Sequence, residues 1–207
     1  LLTDLDDPKP MGISLADHLT GIFASYGILA ALHARTITGE GQLVETSLLQ
    51  SMVSFVQENA ANYFEDSEVP RRDTRPKGPQ AHCFIASDGL PFVIHLSSPE
   101  KFWVGLTGAV GRPEMRDDPR FADRPSRAQH YNELHDALAD AFVTAPRDEW
   151  ITKLRKKDVP CSPLNTLEEV FQDPQVQALG MSIDLERPGG TPVRVTGSAI
   201  RLSATPP

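Results

Sequence analysis

Cysteine is scarce in this sequence, which has only Cys83 and Cys161 among its 207 residues. Two cysteines are too few for a disulfide framework, and their spacing is not that of a zinc site. We therefore expect a reducing, cytoplasmic compartment, two inert thiols and no bound metal. The sequence shows no internal repeat, and its 40% hydrophobic and 23% charged residues are typical of a globular chain.

The sequence also has few positively charged residues and no long uninterrupted apolar run. Twenty Lys and Arg against 28 Asp and Glu give a net charge of −8, which would repel a polyanion, so nucleic acid is not an expected partner. The longest apolar stretch, residues 19–34, is interrupted by polar side chains and is shorter than the roughly 20 residues that span a bilayer. We expect no membrane helix. Because the chain begins without a methionine or a leader, we expect a piece of a longer protein.

Helical spacing dominates the first part of the chain, residues 1–65. Ser14 and Asp17 form a carboxylate variant of the capping box, and the apolar periodicity after them predicts a helix that ends near Arg35. Because apolar residues occupy nearly every face of this helix, we expect it to be buried. Its glycines cost helix stability, which predicts that another backbone packs closely against it.

A turn, a short strand and a second helix complete the first part. Residues 38–41 carry two glycines and predict the turn. Residues 42–46 are expected to form the strand, and residues 47–64 the second, largely buried helix. The polar, proline-rich residues 66–80 are typical of an exposed linker, so we place a domain boundary there.

The remaining sequence predicts a small α+β domain over residues 81–187 and a tail, 188–207, with no core of its own. Two β-rich runs, 81–86 and 91–96, flank Asp88-Gly89, which is a hairpin signal. The further predicted elements are helices at 98–110, 126–143 and 146–156, a helix opened by a capping box at 166–169, and a hairpin of 183–185 with 193–195.

Asp17 is open to a structural and to a chemical interpretation. In the first turn of a helix, a carboxylate faces unpaired N–H groups and the positive end of the macrodipole, and both favour the ionised form. An ionised carboxylate can attack a thioester carbonyl and divide one acyl transfer into covalent steps. An acidic residue three positions after a cap serine is most often only a capping group. Spacing alone favours the capping role.

Motifs on both sides of Asp17 carry more information than the spacing. They are Gly12-Ile13-Ser14-Leu15-Ala16-Asp17-His18-Leu19-Thr20-Gly21, Ala30-Ala31-Leu32-His33-Ala34-Arg35 and Thr38-Gly39-Glu40-Gly41-Gln42. Further motifs follow in order: Ser87-Asp88-Gly89, Asp118-Pro119-Arg120-Phe121, Glu149-Trp150, Val159-Pro160-Cys161-Ser162-Pro163, Asp173-Pro174-Gln175 and Leu202-Ser203-Ala204-Thr205-Pro206. Together they resemble the class III CoA-transferases, the family of formyl-CoA transferase and carnitine CoA-transferase. Asp17 matches the family's nucleophilic aspartate, and residues 35–42 match its Arg-x-x-Thr-Gly-x-Gly-Gln turn.

The resemblance implies an α/β fold. Residues 1–65 would be part of a Rossmann-like large domain, a small mixed α+β domain would follow, and residues 188–207 would return to the large domain of an interlocked homodimer. The resemblance also implies a ping-pong reaction, in which Asp17 forms a mixed anhydride and then an aspartyl-CoA thioester. An acyl-CoA and a carboxylic acid are the implied substrates, with no metal and no permanently bound cofactor. Without the region that supplies most CoA contacts in the family, an isolated fragment is expected to be inactive.

Other polar residues are weaker candidates. Gly78 and Gln80 are candidates for substrate contact, because some members carry a glycine run that closes over the intermediate. The stretch 77–80 has one glycine, so a mobile glycine lid is not expected. The basic run 71–77 could bind CoA phosphates, but its interspersed acidic residue favours a solvated linker. His18 points about 100° away from Asp17 on the helix, which favours a local structural role.

Two alternatives to CoA transfer remain at this point. An α-methylacyl-CoA racemase shares the implied fold and would need a histidine partner upstream of Leu1 for proton transfer. A noncatalytic dimerisation fragment, in which Asp17 only caps its helix, belongs to another functional class. The sequence does not identify the donor and acceptor acids.

Overall fold

The chain divides into two units, Leu1–Gly78 and Pro79–Pro207. The computed structural model describes residue 3 and residues 6–67, 69–97 and 100–205. The division falls inside residues 66–80, the range for which the sequence predicts a linker. Helices and antiparallel strands are both present, so the fold is mixed α/β.

The first unit is helical in the residues that the structure describes. Its long helix, α1, confirms the first predicted helix but continues past Arg35 to Thr38. It ends at Gly39, which has a left-handed φ of 77° and donates its N–H to the Arg35 carbonyl at 2.9 Å. The helices described in this unit are α1 (Leu15–Thr38), α2 (Leu48–Phe55), α3 (Gln57–Asp66) and α4 (Thr74–Lys77).

The predicted strand over residues 42–46 is wrong, because the structure places this segment in a loop. A strand needs a partner strand to pair its backbone groups, and none of the described residues of this unit forms one. The loop packs on α1 instead: a Cβ on Gly27 would lie 2.9 Å from Cγ1 of Val44. Gly27 therefore provides a close approach, whereas a Cβ on Gly21 would meet nothing within 4 Å.

The second predicted helix is two helices that meet at Val56. The φ of −91° and ψ of 21° at Val56 end the regular geometry of α2, and α3 begins at the next residue. Ser47 caps α2, because its side-chain oxygen accepts a hydrogen bond from the N–H of Gln50 at 3.2 Å. The prediction was therefore correct about helix and wrong about continuity.

The expectation that these helices are buried is wrong for this chain. No described residue of α1 is buried, and Ser51 is the one buried residue in α2 and α3. Ile22, Tyr26 and Leu29 are each more than 60% exposed, since no described element forms a second layer over this face. α1 has 24 residues and contains an 18-residue window with a mean hydropathy of 1.3, so by length and composition alone it passes the test for a membrane-crossing helix. Core helices of soluble proteins share this property, so a single such helix is weak evidence.

A three-stranded antiparallel sheet organises the second unit. Strands β1 (Ala81–Ile85) and β2 (Pro91–His95) form the first predicted hairpin, and β3 (Cys161–Pro163) pairs with the other edge of β2. The hairpin turn uses Gly89 at a φ of 76°, a conformation that favours glycine. The N–H of Leu90 also donates to Oδ1 of Asp88 at 3.1 Å.

The core of the second unit lies where its helices meet this sheet. Phe84, Phe92 and Phe142 pack with ring centroids 4.6–5.9 Å apart, and all three side chains are buried. Trp150 adds a T-shaped contact to Phe142 and donates its indole N–H to the Phe142 carbonyl at 2.8 Å. Trp103 is also buried in this core.

The remaining elements follow the sequence closely. The predicted helix over 126–143 is two helices that meet at His130, and residues 98 and 99 of another predicted helix lie outside the described residues. The last hairpin and the 166–169 capping box are confirmed. The elements are α5 (Glu100–Ala109), a 3₁₀ turn (Pro113–Arg116), α6 (Arg124–Gln129), α7 (Tyr131–Phe142), α8 (Arg147–Lys156), α9 (Leu167–Gln172), α10 (Pro174–Ala178), β4 (Ser182–Leu185) and β5 (Val193–Thr196).

Candidate active site

Asp17 is exposed in the first turn of α1. Among the described residues, its carboxylate has no hydrogen-bond or ion-pair partner. The predicted capping box does not form, because the side chain of Ser14 makes no capping hydrogen bond. Only backbone contacts close this end of the helix: the His18 N–H donates to the Ser14 carbonyl at 3.2 Å and the Leu15 N–H to the Ile13 carbonyl at 3.0 Å. The capping interpretation of Asp17 therefore has no contact to support it.

His18 follows Asp17 and is exposed as well. Successive helical positions are separated by about 100°, so the imidazole projects from a different face of α1. Within the described chain, its side chain makes no hydrogen bond. The geometry therefore gives no acid–base pair between these two neighbours.

One pocket on α1 lies at the other end of the helix. It has a volume of about 310 Å³, and Ile28, Leu32, Arg35, Leu43 and Val44 are among its lining residues. Asp17 and Arg35 are 18 positions apart in α1, which corresponds to roughly 27 Å at 1.5 Å per residue. This pocket is therefore separate from the position of Asp17.

The basic segment before Gly78 makes several ion pairs in the first unit. Lys77 Nζ lies 2.6 Å from Oδ2 of Asp73, and this contact lowers the pKa of the Asp73 carboxyl. Arg71 and Arg75 contact acidic side chains of other segments at 3.4 and 3.3 Å. The segment therefore has defined contacts and contains the short helix α4.

Gln80, which the sequence singles out together with Gly78, is 1% exposed in the second unit. Its Oε1 accepts a hydrogen bond from Nε of Arg127 at 3.0 Å, and its Nε2 donates to the Arg124 carbonyl at 3.1 Å. These contacts give the side-chain amide a structural role. The backbone of Gln80 has a positive φ of 54°, which the burial of the residue stabilises. A Cβ on Gly78 would lie 3.6 Å from the Arg75 carbonyl. As substrate contacts, Gly78 and Gln80 stay predictions.

The sequence motifs gave no indication of other buried polar residues in the second unit, such as Arg127 and His82. Arg127 is 3% exposed, pairs with Oε2 of Glu100 at 2.8 Å and lies 4.9 Å from the Trp103 ring. His82 is 1% exposed, next to the core residue Phe84 on the same face of β1. The alternation of β1 was a signal for His82, whereas nothing in the helical pattern of α6 singled out Arg127.

The described residues contain no group of three or more His, Cys, Asp or Glu side chains that could hold a metal ion. Around Asp17, the described chain presents a carboxylate and the backbone N–H groups in the first turn of α1. These groups can provide a nucleophile and hydrogen bonds to an oxyanion.

Solved structures with this fold are known. A CAIB/BAIF family protein from Brucella suis superposes with a TM-score of 0.81 at 30% identity, covering 99% of this chain and 53% of that protein. Rv3272 from Mycobacterium tuberculosis gives the same TM-score at 22% identity, which supports the fold alone. The chain thus has the mixed α/β architecture of the CAIB/BAIF proteins.

Sequence comparison identifies the family. Residues 3–207 match CoA-transferase family III, and the chain belongs to this family, as its motifs predict. Succinyl-CoA:mesaconate CoA-transferase of Haloarcula hispanica is 31% identical over 203 residues, or 97% of this chain and 50% of that protein. Formyl-CoA:oxalate CoA-transferase of Streptomyces avermitilis is 28% identical over 222 residues, or 99% and 54%. The chain spans about half the length of the curated relatives it matches.

Proposed function

We propose that the intact protein is an acyl-CoA:carboxylate CoA-transferase and that Asp17 is its covalent nucleophile. Family membership supports the transfer of CoA between acids, because the relatives are named as CoA-transferases. The observation that carries the assignment to Asp17 is its exposed carboxylate in the first turn of α1, which no described residue binds. A carboxylate that stabilises no local structure is available for chemistry.

The first half of the proposed reaction loads CoA onto the protein. A carboxylate oxygen of Asp17 attacks the thioester carbonyl of the donor, the C–S bond breaks, and a mixed anhydride and CoA thiolate result. The thiolate then attacks the Asp17 carbonyl carbon of the anhydride. This step forms an aspartyl-CoA thioester and releases the donor acid as a carboxylate.

The second half repeats these steps with the acceptor acid. Its carboxylate attacks the aspartyl thioester and expels CoA thiolate, which gives a second mixed anhydride. The thiolate then attacks the acceptor carbonyl, so the products are the acceptor acyl-CoA and the free Asp17 carboxylate. Both halves develop negative charge on carbonyl oxygens, and hydrogen bonds from first-turn N–H groups of α1 would stabilise this charge.

The proposed assembly is an interlocked homodimer in the cytoplasm. Residues 1–65 would belong to a Rossmann-like large domain, to which residues 188–207 return. The exposed apolar side chains of α1, such as Ile22 and Leu29, support burial of this helix in the complete assembly, because water-exposed apolar surface of this kind is costly. The relatives' names suggest dicarboxylic acids as substrates, and assays with such acids as donors and acceptors test this choice.

Mass spectrometry of the intact protein tests the proposal directly. Incubation with a donor acyl-CoA and without acceptor should leave a CoA adduct on the proteolytic peptide that contains Asp17, and hydroxylamine should convert the same residue. An adduct on a different residue would contradict the assignment. The racemase alternative predicts deuterium exchange at the substrate α-carbon without an acceptor acid, and the noncatalytic alternative predicts that calorimetry detects no CoA binding.

A further inference from the structure

A second pocket in the first unit has a charged wall. Its volume is about 250 Å³. One side is the junction of α2 and α3, where Phe55 and Val56 contribute apolar surface, and the other side carries Arg71, Arg72 and Arg75. Three arginine residues thus line a pocket that also has an apolar border.

The charge of this pocket contrasts with that of the chain. The chain has a net charge of −8, yet the residues lining the pocket include three arginines and one acidic side chain, Glu58. Asp73 lies within the same basic segment, but Lys77 binds it at 2.6 Å. Neither Asp73 nor Lys77 lines the pocket. Asp73, the acidic residue that favoured a solvated linker, is therefore paired with Lys77 and is not part of the pocket.

The carboxylates that pair with Arg71 and Arg75 make long contacts with them. Nη2 of Arg71 lies 3.4 Å from Oδ2 of Asp6, and Nε of Arg75 lies 3.3 Å from Oε1 of Glu58. Strong charge-assisted hydrogen bonds are shorter, at about 2.7–2.9 Å. The four side chains are 57–88% exposed, and exposed pairs contribute little stability. An anion of higher charge can therefore replace these carboxylates at low cost.

We propose that the pocket formed by Arg71, Arg72 and Arg75 binds a phosphate group of a phosphorylated ligand. Planar guanidinium groups match phosphate oxygens in pairs, and a phosphate monoester has a charge close to −2 at neutral pH. The volume is below the roughly 300–1,000 Å³ of pockets that enclose a whole drug-sized ligand. The pocket thus holds one end of the ligand, and the Phe55 and Val56 surface contacts the part next to the phosphate.

Two sources can provide such a group. CoA carries a 3′-phosphate and a diphosphate, and only this choice of ligand rests on the proposed function. A free nucleotide carries the same chemistry without a thiol. Dephospho-CoA, which lacks the 3′-phosphate, and ADP separate these sources.

The test is calorimetric titration of the intact protein with CoA, dephospho-CoA, ADP and inorganic phosphate. The double variant Arg71→Gln/Arg75→Gln should raise the Kd of the bound phosphate compound by about tenfold or more, because each lost charge-assisted contact contributes substantially. The double variant Asp73→Asn/Lys77→Gln is the matched control, since it also changes two side chains of the same segment but leaves the net charge and the pocket lining unchanged. It should change the Kd by less than about twofold. Circular dichroism should show native helix content for all variants.

The outcomes separate this inference from the proposed function. Loss of affinity for CoA but not for dephospho-CoA supports binding of the 3′-phosphate, and loss for both supports the diphosphate. Arginine-dependent binding of ADP or phosphate in a protein that transfers no CoA supports the pocket and contradicts the proposed transferase. Unchanged affinity of Arg71→Gln/Arg75→Gln for every probe, equal loss in Asp73→Asn/Lys77→Gln, or no binding by the wild type would overturn the inference.

Discussion

The imidazole of His82 lies parallel to the phenol ring of Tyr131, with ring centroids 4.1 Å apart and an interplanar angle of 15°. Neither nitrogen of His82 has a hydrogen-bond partner in the described part of the chain, and the residue is 1% exposed. Burial, with a smaller contribution from the charge of His135, lowers the pKa of His82 to about 3. The second unit therefore contains a neutral histidine at every pH at which the protein is expected to function.

This histidine predicts a loss of stability in acid. Between pH 6.5 and pH 3 the unfolded chain protonates the imidazole and the folded chain does not, so the free energy of unfolding falls as the pH is lowered through this window. The loss approaches the order of 3–5 kcal/mol near pH 3 and is absent above pH 7. Urea unfolding at a series of pH values measures it.

His82→Phe isolates this contribution from that of the carboxylates, because the variant keeps a ring beside Tyr131 but cannot be protonated. The larger ring can change the free energy of unfolding by an amount that does not depend on pH, and the measurement at pH 7 gives that amount. Beyond it, the stability of the variant relative to wild type should rise steadily as the pH falls from 6.5. A difference that stays constant over this window would contradict the prediction.

Substitution of Gln80 should change the stability of the protein without changing its affinity for substrate. Gln80→Leu removes the acceptor of Arg127 Nε and the donor to the Arg124 carbonyl, and it leaves buried polar groups unpaired. We expect the free energy of unfolding to fall by about 2–3 kcal/mol. KM in the folded enzyme should stay unchanged. The exposed Gln172, changed to Leu in the same way, is the control and should cost little.

A raised KM together with unchanged stability would support the alternative, that Gln80 contacts substrate. The two measurements thus decide between the structural role that the contacts favour and the substrate role that the motif suggests.

The sequence predicts two capping boxes, of which only the one at Thr166 forms, so the same kind of mutation should have different effects at the two sites. Thr166 Oγ1 accepts from the Glu169 N–H at 3.2 Å, and Oε2 of Glu169 accepts from the Thr166 N–H at 2.7 Å. Thr166→Ala should lower the free energy of unfolding by about 1 kcal/mol. Ser14→Ala should leave it unchanged, because the Ser14 side chain makes no capping hydrogen bond. Equal losses in the two variants would contradict the structure at α1.

These boxes also show what could be predicted from the sequence. Local signals worked where the deciding contacts are local: Asp88-Gly89 marks its hairpin, and Thr166 marks the start of α9. Residues 42–46 have β-rich composition, but a strand also needs a partner, which composition does not reveal. The apolar faces of α1 led to the expectation that this helix is buried. The described chain provides no layer that covers them, so the expectation fails.

The candidate site could likewise be predicted only where it depends on local sequence. The motifs placed Asp17 in the first turn of a helix, which the structure confirms, because helix position is a local property. The arginine pocket required the fold, since Arg71 and Arg75 meet Phe55 only through the packing of separate segments. Likewise, Gln80 and Arg127 are in contact although they are 47 positions apart in the sequence. Sequence periodicity carries no information about contacts between residues so far apart in the chain.

Asp17→Asn separates the chemical from the structural role of this residue most sharply. The amide keeps the size of the side chain but is a far weaker nucleophile than a carboxylate, so CoA transfer should fall by about 10³-fold or more. Because no described residue binds the carboxylate, the free energy of unfolding should change by less than about 1 kcal/mol, which covers the lost interaction with the α1 macrodipole. Asp66→Asn is the matched control, as it makes the same change at an exposed position of the first unit and should leave transfer intact. Residual transfer above a few per cent in Asp17→Asn would assign the nucleophile to another residue.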